Sequence, residues 1–222
     1  MEEDINHSTA RATTPPTFRK GKKVGIYGGS FNPIHRGHIA LARQMLRKAH
    51  LDEVWFLVSP LNPFKQASTD LLDDQTRLLL TRQALADEPR LVASDYEFHL
   101  PRPSYSWDTL QALSRDYPEH EFVLVIGADN WLAFDRWYHA EDILDSYPIV
   151  IYPREGCPID AATLPPTVQL VKTRLYNVSS TDIRRRIREG RPVRRLLPPA
   201  IHDAAVAAYS AGRRDATPSS TP

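Results

Sequence analysis

The chain has 222 residues, 41% of them hydrophobic and 25% charged, a composition that suits one globular domain with a sizeable core. Its 28 basic and 27 acidic residues leave a formal net charge of +1, which argues against a general nucleic-acid binder. One cysteine, Cys157, excludes an internal disulfide and fits a reducing, cytoplasmic setting, and no apolar run reaches the ~18–20 residues that span a bilayer.

Residues 1–20 are polar, lack the apolar core of a signal peptide and read as a disordered extension. Residues 213–222, rich in Ser, Thr and Pro, read the same way, which leaves one folded domain over 21–212. In that domain Val24-Gly25-Ile26-Tyr27 reads as a buried strand and 39–46 as a helix. Between them lies Gly28-Gly29-Ser30-Phe31-Asn32-Pro33-Ile34-His35-Arg36-Gly37-His38, a strand-to-helix corner of the kind where α/β proteins bind phosphates. Gly28 and Gly29 permit positive φ and a close ligand approach, and Pro33 stiffens the turn. His35 and His38 share a face if the helix begins near residue 34 or 35, and Gly37 between them leaves no side chain to block a ligand. Together with the helix N-terminus, these residues form a cradle for an anion. The spacing is neither G-x-G-x-x-G nor that of a P-loop. A zinc site would need a third ligand, and none is near in sequence. A plain glycine-rich turn with two surface histidines is the simpler alternative.

The run Glu53-Val54-Trp55-Phe56-Leu57-Val58 is a second strand, broken by Pro60 and Pro63 and followed by Lys65. A lysine on a stiff loop at the C-terminal edge of a parallel sheet can meet a phosphate, although most lysines are simply solvated. Residues 70–87 predict an amphipathic helix capped by Thr69 or Asp70, with Leu71, Leu72, Leu78, Leu79, Ala84 and Leu85 on one face. Asp74 and Arg77 read as helix surface or loop support. A short strand at 90–94 precedes an extended, polar stretch at 95–103, where prolines prevent a helix. The next helix opens around Ser104-Tyr105-Ser106-Trp107-Asp108, where Ser106 or Asp108 can cap and neighbouring N–H groups stay free for an acceptor.

Residues 121–126 form the most strand-like run, central and buried on both faces, ending in Gly127-Ala128-Asp129. Asp129 can accept from a ribose hydroxyl, hold a magnesium-bound water or cap the next helix. Trp131, Phe134 and Trp137 are either core or a stacking surface for a flat ring. Further strands follow at 148–151 and 167–171. Asn177-Val178-Ser179-Ser180-Thr181-Asp182-Ile183-Arg184 then opens a helix with capping-box spacing, and its hydroxyls and Arg184 form an anion site or an ordinary N-cap. Seven arginines between 184 and 195 raise a nucleic-acid stripe, but no aromatic residue interleaves them, so a solvated helix face is favoured. Residues 201–211 make a last helix.

The first corner resembles the H-x-G-H signature of the nucleotidyltransferase superfamily, and the second resembles its I-S-S-T-x-I-R segment, with Val178 in place of isoleucine. Between them, Pro60 to Lys65 is similar to P-x-x-x-P-H-K with Phe64 in place of histidine, 104–110 to S-Y-T-x-D-T-L, 127–129 to G-A-D, and 154–156 to R-x-G. This set resembles the bacterial nicotinate mononucleotide adenylyltransferases over nearly all of 21–209. The alternation of strand and helix predicts a doubly wound, mostly parallel sheet, and the resemblance implies the Rossmann-like nucleotidyltransferase fold. It further implies adenylyl transfer from ATP to nicotinate mononucleotide in NAD biosynthesis, with magnesium carried on the phosphates and no metal-ligating residue assigned. A preference for nicotinamide mononucleotide or phosphopantetheine is the alternative. No nucleic-acid or membrane partner is expected.

On this resemblance His35, His38, Lys65 and Arg184 are expected to take the catalytic roles. ATP falls to Gly28, Gly29, Ser30, Phe31, His35, His38, Gly127, Asp129, Val178, Ser179, Ser180, Thr181 and Arg184. The mononucleotide falls to Ser30, Lys65, Ser106 and Trp137, with Trp137 stacking on the pyridine ring and the amides near Ser106 receiving its carboxylate. Trp131 and Trp107 are assigned to packing.

Overall fold

The computed structural model describes residues 21–60, 71–174 and 176–210. Six strands make one sheet: β1 (Lys23–Gly29), β2 (Glu53–Val58), β3 (Leu91–Ser94), β4 (Glu121–Gly127), β5 (Ile149–Tyr152) and β6 (Val168–Leu170). Their order is β3-β2-β1-β4-β5-β6, and every neighbouring pair is parallel. The predicted mostly parallel sheet is therefore wholly parallel among the described residues. The order reverses between β1 and β4, and the crevice outside their C-terminal ends is where a doubly wound sheet binds ligands.

The sheet is covered on both faces because its strands alternate. On β4, Phe122, Leu124 and Ile126 point into one core and Val123 and Val125 into the other; on β5, Ile149 and Ile151 oppose Val150 and Tyr152. One core packs under α1 (Arg36–Lys48), α2 (Asp74–Ala84), α6 (Ser180–Arg188) and α7 (His202–Ser210). The other packs under α3 (Ser106–Asp116) and α5 (Ala140–Ser146), with the short α4 (Ala128–Trp131) at the end of β4. No helix among the described residues is long and apolar enough to cross a membrane.

Several expectations need correction. The helix predicted over 70–87 is α2, shorter and capped by Asp73, whose side chain accepts from Thr76 N at 2.9 Å; Thr69 and Asp70 lie outside the described residues. Leu71 and Leu72 precede α2, and Leu79 is 56% exposed, so the apolar face was phased wrongly. The polar stretch at 95–103 contains a 3-10 turn, Tyr96–His99, that buries Glu97. No side chain caps α3, whose N-cap is Tyr105. Helix α5 had no counterpart in the sequence pattern, since Ile143 is its one buried residue.

Candidate active site

At the end of β1 the chain enters the first corner with Phe31 in the left-handed region at φ 43°. Positive φ, predicted at Gly28 or Gly29, therefore falls on Phe31, whose ring is held by Tyr27 and Phe56 with centroids 5.6 and 5.2 Å away. Gly28 is open on its missing side-chain face and lines the cleft.

Helix α1 begins with a capping box made of two histidines. His35 Nδ1 accepts from His38 N at 3.3 Å, and His38 Nδ1 accepts from His35 N at 3.2 Å. The rings stack with centroids 3.6 Å apart. Because each Nδ1 accepts, each neutral ring carries its proton on Nε2. Burial, with the Arg154 charge adding to it, pulls His35 down to about 3, so it is neutral at physiological pH. Gly37 has a different use from the one its position suggested: a Cβ there would meet the His35 ring at 3.0 Å, so the glycine makes room for that ring.

The second corner packs onto the first. Ser179 caps α6 by accepting from Asp182 N at 3.1 Å. Ser180 Oγ donates to Pro33 O and Arg184 Nη1 donates to Asn32 O, each at 2.9 Å. Arg36 reaches the segment after α6, its N and Nε donating to the carbonyls of Leu196 and Leu197. Tyr209 of α7 donates to Asn32 Oδ1 at 2.5 Å. The imidazoles and the Arg184 guanidinium thus come from distant parts of the sequence into one place.

Three connected chambers of about 450–470 Å³ each run along the C-terminal edge of the sheet. The inner one joins His35, His38, Val178 and Ser179 with Asp129 and Arg154. The middle one joins Gly28, Gly29, Ser30, Phe31 and His38 with Ser180, Thr181 and Arg184. The outer one holds Ser106, Trp137, Ser59 and Glu97. Tyr27 and Tyr152 lie under all three.

Of the predicted site residues that are described, the cleft gathers all but Gly127. Lys65, with Phe64, lies outside the described residues. Gly127 lines none of the chambers; it is buried at the end of β4, where a Cβ would strike Asp129 Oδ1 at 2.3 Å. It clears space for the ion pair between Asp129 and Arg154 Nε at 3.4 Å. Asp129 is a residue of α4 and not its cap, which is Gly127. Trp131 stacks on Phe134 at 5.3 Å and stays out of the chambers, as does Trp107.

Sequence reasoning missed two polar residues that shape the site, Arg154 and Glu97, and left the role of a third open. Arg77, read as helix surface or loop support, is fully buried. Its Nη1 donates to Ser30 O at 2.6 Å and Ser59 O at 2.8 Å, Nε to Leu72 O at 2.9 Å, and Nη2 to Asp74 at 2.6 Å. One guanidinium therefore fixes the ends of β1 and β2 relative to α2. The available signal was an arginine beside Leu78 and Leu80 in an otherwise apolar register. Arg154 sits over the Tyr152 ring, 5.3 Å from its centroid, and its place three residues past the strand predicted at 148–151, just after Pro153, was the clue. Glu97 left no signal.

The cytidylyltransferase-like family model matches residues 26–186 of this chain. A protein of Bacteroides thetaiotaomicron named "probable nicotinate-nucleotide adenylyltransferase" is 51% identical over 179 residues, covering 81% of this chain and 88% of the relative. One of the same name from Bacteroides fragilis is 48% identical over 180 residues, covering 81% and 89%. Among solved structures, the Plasmodium falciparum nicotinic acid mononucleotide adenylyltransferase complexed with NaAD superposes with a TM-score of 0.70 at 18% identity, over 84% of this chain and 94% of that one.

Proposed function

This chain belongs to the nicotinate-nucleotide adenylyltransferases of the cytidylyltransferase-like family, and from that membership we propose how its cleft performs the reaction. The enzyme transfers the adenylyl group of ATP to nicotinate mononucleotide, giving nicotinate adenine dinucleotide and pyrophosphate in NAD biosynthesis. The observation that carries the residue roles is the meeting of the two corners. His38 and Arg184 line one chamber at the β1/β4 reversal, although 146 positions separate them in the sequence.

A phosphate oxygen of the mononucleotide attacks the α-phosphorus of ATP in line, and pyrophosphate departs. The cleft offers no serine or cysteine paired with a base among the described residues, so displacement is direct. The work left to the protein is positioning and stabilising charge on the non-bridging and leaving oxygens. His38, through Nε2–H, meets the reacting phosphate, and His35 caps α1 behind it. Arg184, the hydroxyls of Ser179 and Thr181 and the amides of Ser179, Ser180 and Thr181 hold the triphosphate, with Arg154 as a further cation beside them. Lys65, outside the described residues, keeps the phosphate role that its motif implies. The outer chamber takes the pyridine ring, with Trp137 as the stacking surface and the uncapped start of α3 at Ser106 as the acceptor site for its carboxylate.

Magnesium carried on the ATP phosphates would shield their charge. No cluster of three or more acidic, histidine or cysteine side chains suited to a metal occurs among the described residues. Among the described residues Asp129 is the one carboxylate lining the middle chamber, and it would suit an ion held mainly by the phosphates.

Incubation of the protein with ATP, magnesium and nicotinate mononucleotide, with products separated by chromatography, tests the assignment. Equimolar dinucleotide and pyrophosphate are expected. Hydrolysis of ATP without dinucleotide, or dinucleotide-like product from phosphopantetheine alone, would count against it.

A further inference from the structure

Two buried polar groups in the outer chamber have no part in the phosphate chemistry. Glu97, on the 3-10 turn, is 8% exposed and lines that chamber beside Ser104, Ser106 and Trp137. Thr109 Oγ1 donates to its Oε1 at 3.3 Å. Its Oε2 and the Ser104 hydroxyl, both buried, have no hydrogen-bond partner among the described residues. Each such group costs roughly 1–3 kcal/mol unless something in the chamber satisfies it. Two of them on residues that line one cavity point to a ligand group that they bind.

The surroundings fix the chemistry of that group. From the end of β2, Ser59 faces Glu97, its carbonyl held from the far side by Arg77; from α3 comes Thr109. Among the described residues, the titratable side chains that line the rest of the chamber are the phenols of Tyr27, Tyr105, Tyr138 and Tyr152, and the one cation is Arg136. Burial pushes the Glu97 carboxyl up to about 7, against hydrogen bonds from Ser59 and Thr109 that favour its ionised form. At neutral pH both protonation states are populated. The protonated form offers an O–H donor to an anion; the ionised form repels an anion and accepts from an N–H.

We propose that Glu97 governs the choice between the acid and amide forms of the pyridine mononucleotide, and that its proton makes this choice depend on pH. The inference rests on the assignment of the outer chamber to the pyridine ring. With its proton in place, Glu97 donates to the nicotinate carboxylate, alongside Ser104. Without it, the carboxylate is repelled, and the carboxamide N–H of nicotinamide mononucleotide finds an acceptor.

The test measures KM for nicotinate mononucleotide and the inhibition constant of nicotinamide mononucleotide between pH 6 and 8.5, in wild type and Glu97→Gln. Both ligands carry the same phosphate, so its titration cancels in the ratio. In the wild type the preference for the acid is expected to fall as pH rises. The limit is about three-hundred-fold, the change in the ratio of protonated to ionised carboxyl for a group titrating near 7. In Glu97→Gln the ratio is expected to be flat. Thr109→Val, which removes one bond favouring the ionised form, is expected to move the midpoint to higher pH, and it keeps the test open if the glutamine variant fails to fold. A flat ratio in an active wild type, or the same slope in Glu97→Gln, or an unmoved midpoint in Thr109→Val, would overturn the inference alone. Absence of dinucleotide from either mononucleotide at every pH would overturn the reaction itself and the inference with it.

Discussion

His35 and His38 bind each other's backbone: each ring nitrogen Nδ1 accepts from the other residue's main-chain N–H, and the rings stack 3.6 Å apart. A helix N-cap is usually a serine, threonine, aspartate or asparagine. Here imidazoles take the capping role, so the geometry that starts α1 also orients the two rings. Both Nε2–H donors are set before any ligand arrives.

The buried His35 makes stability depend on acid. Its folded pKa of about 3 lies below the ~6.5 of an unfolded histidine, so between these values the unfolded chain binds the extra proton. Stability is thus fully present above about pH 6.5 and is lost as pH falls toward 3, by roughly 5 kcal/mol at most. Urea melts at pH 7 and pH 4.5 should show the loss, and His35→Asn, which keeps a capping side chain, should show a shallower one.

His38→Ala should lower kcat by about 10²–10³-fold while leaving the melting temperature within a few degrees, as expected for a donor used at the reacting phosphate. Arg184→Ala should produce a comparable loss together with a modest drop in stability, because its bond to Asn32 O is also removed. Steady-state kinetics and thermal melts on purified variants check both, and full activity in His38→Ala would contradict its role.

Removing the Arg77 guanidinium should cost about 3 kcal/mol or more, since three carbonyls and Asp74 lose their donor in a buried place. Arg77→Lys should recover little, because a single ammonium cannot span Ser30, Ser59 and Leu72 together. Urea denaturation of Arg77→Met and Arg77→Lys provides the comparison, and near-equal stability of Arg77→Lys and wild type would refute it.

Trp137→Ala should raise KM for the mononucleotide by about five- to hundred-fold, equivalent to ~1–3 kcal/mol of ring stacking, with KM for ATP nearly unchanged. Trp131→Ala should act on stability instead, because that ring stacks on Phe134 and lines none of the chambers.

The two corners were legible because their determinants are local. Glycines after an apolar strand, a hydroxyl two residues before Thr181 and histidines three apart each follow from capping and turn chemistry within a few residues. The alternation of strands and helices was legible for the same reason. What escaped was polarity turned inward. Whether Arg77 or Glu97 meets water is decided by segments 18 to 47 positions away for one, and by Ser59 and Thr109 for the other. No window around either residue contains those partners. Leu79 failed in the opposite sense, because the helix around it starts four residues later than its leucines suggest.

The bonds from Tyr209 to Asn32 and from Arg36 to the carbonyls of Leu196 and Leu197 carry a consequence for biosynthesis. The loop that bears the histidines is braced by residues translated after the last of the six strands. A ribosome that stalls before residue 196 therefore holds a nascent chain with all six strands made and its catalytic corner still unbuttressed, and such truncated products should be inert even when their sheet has formed.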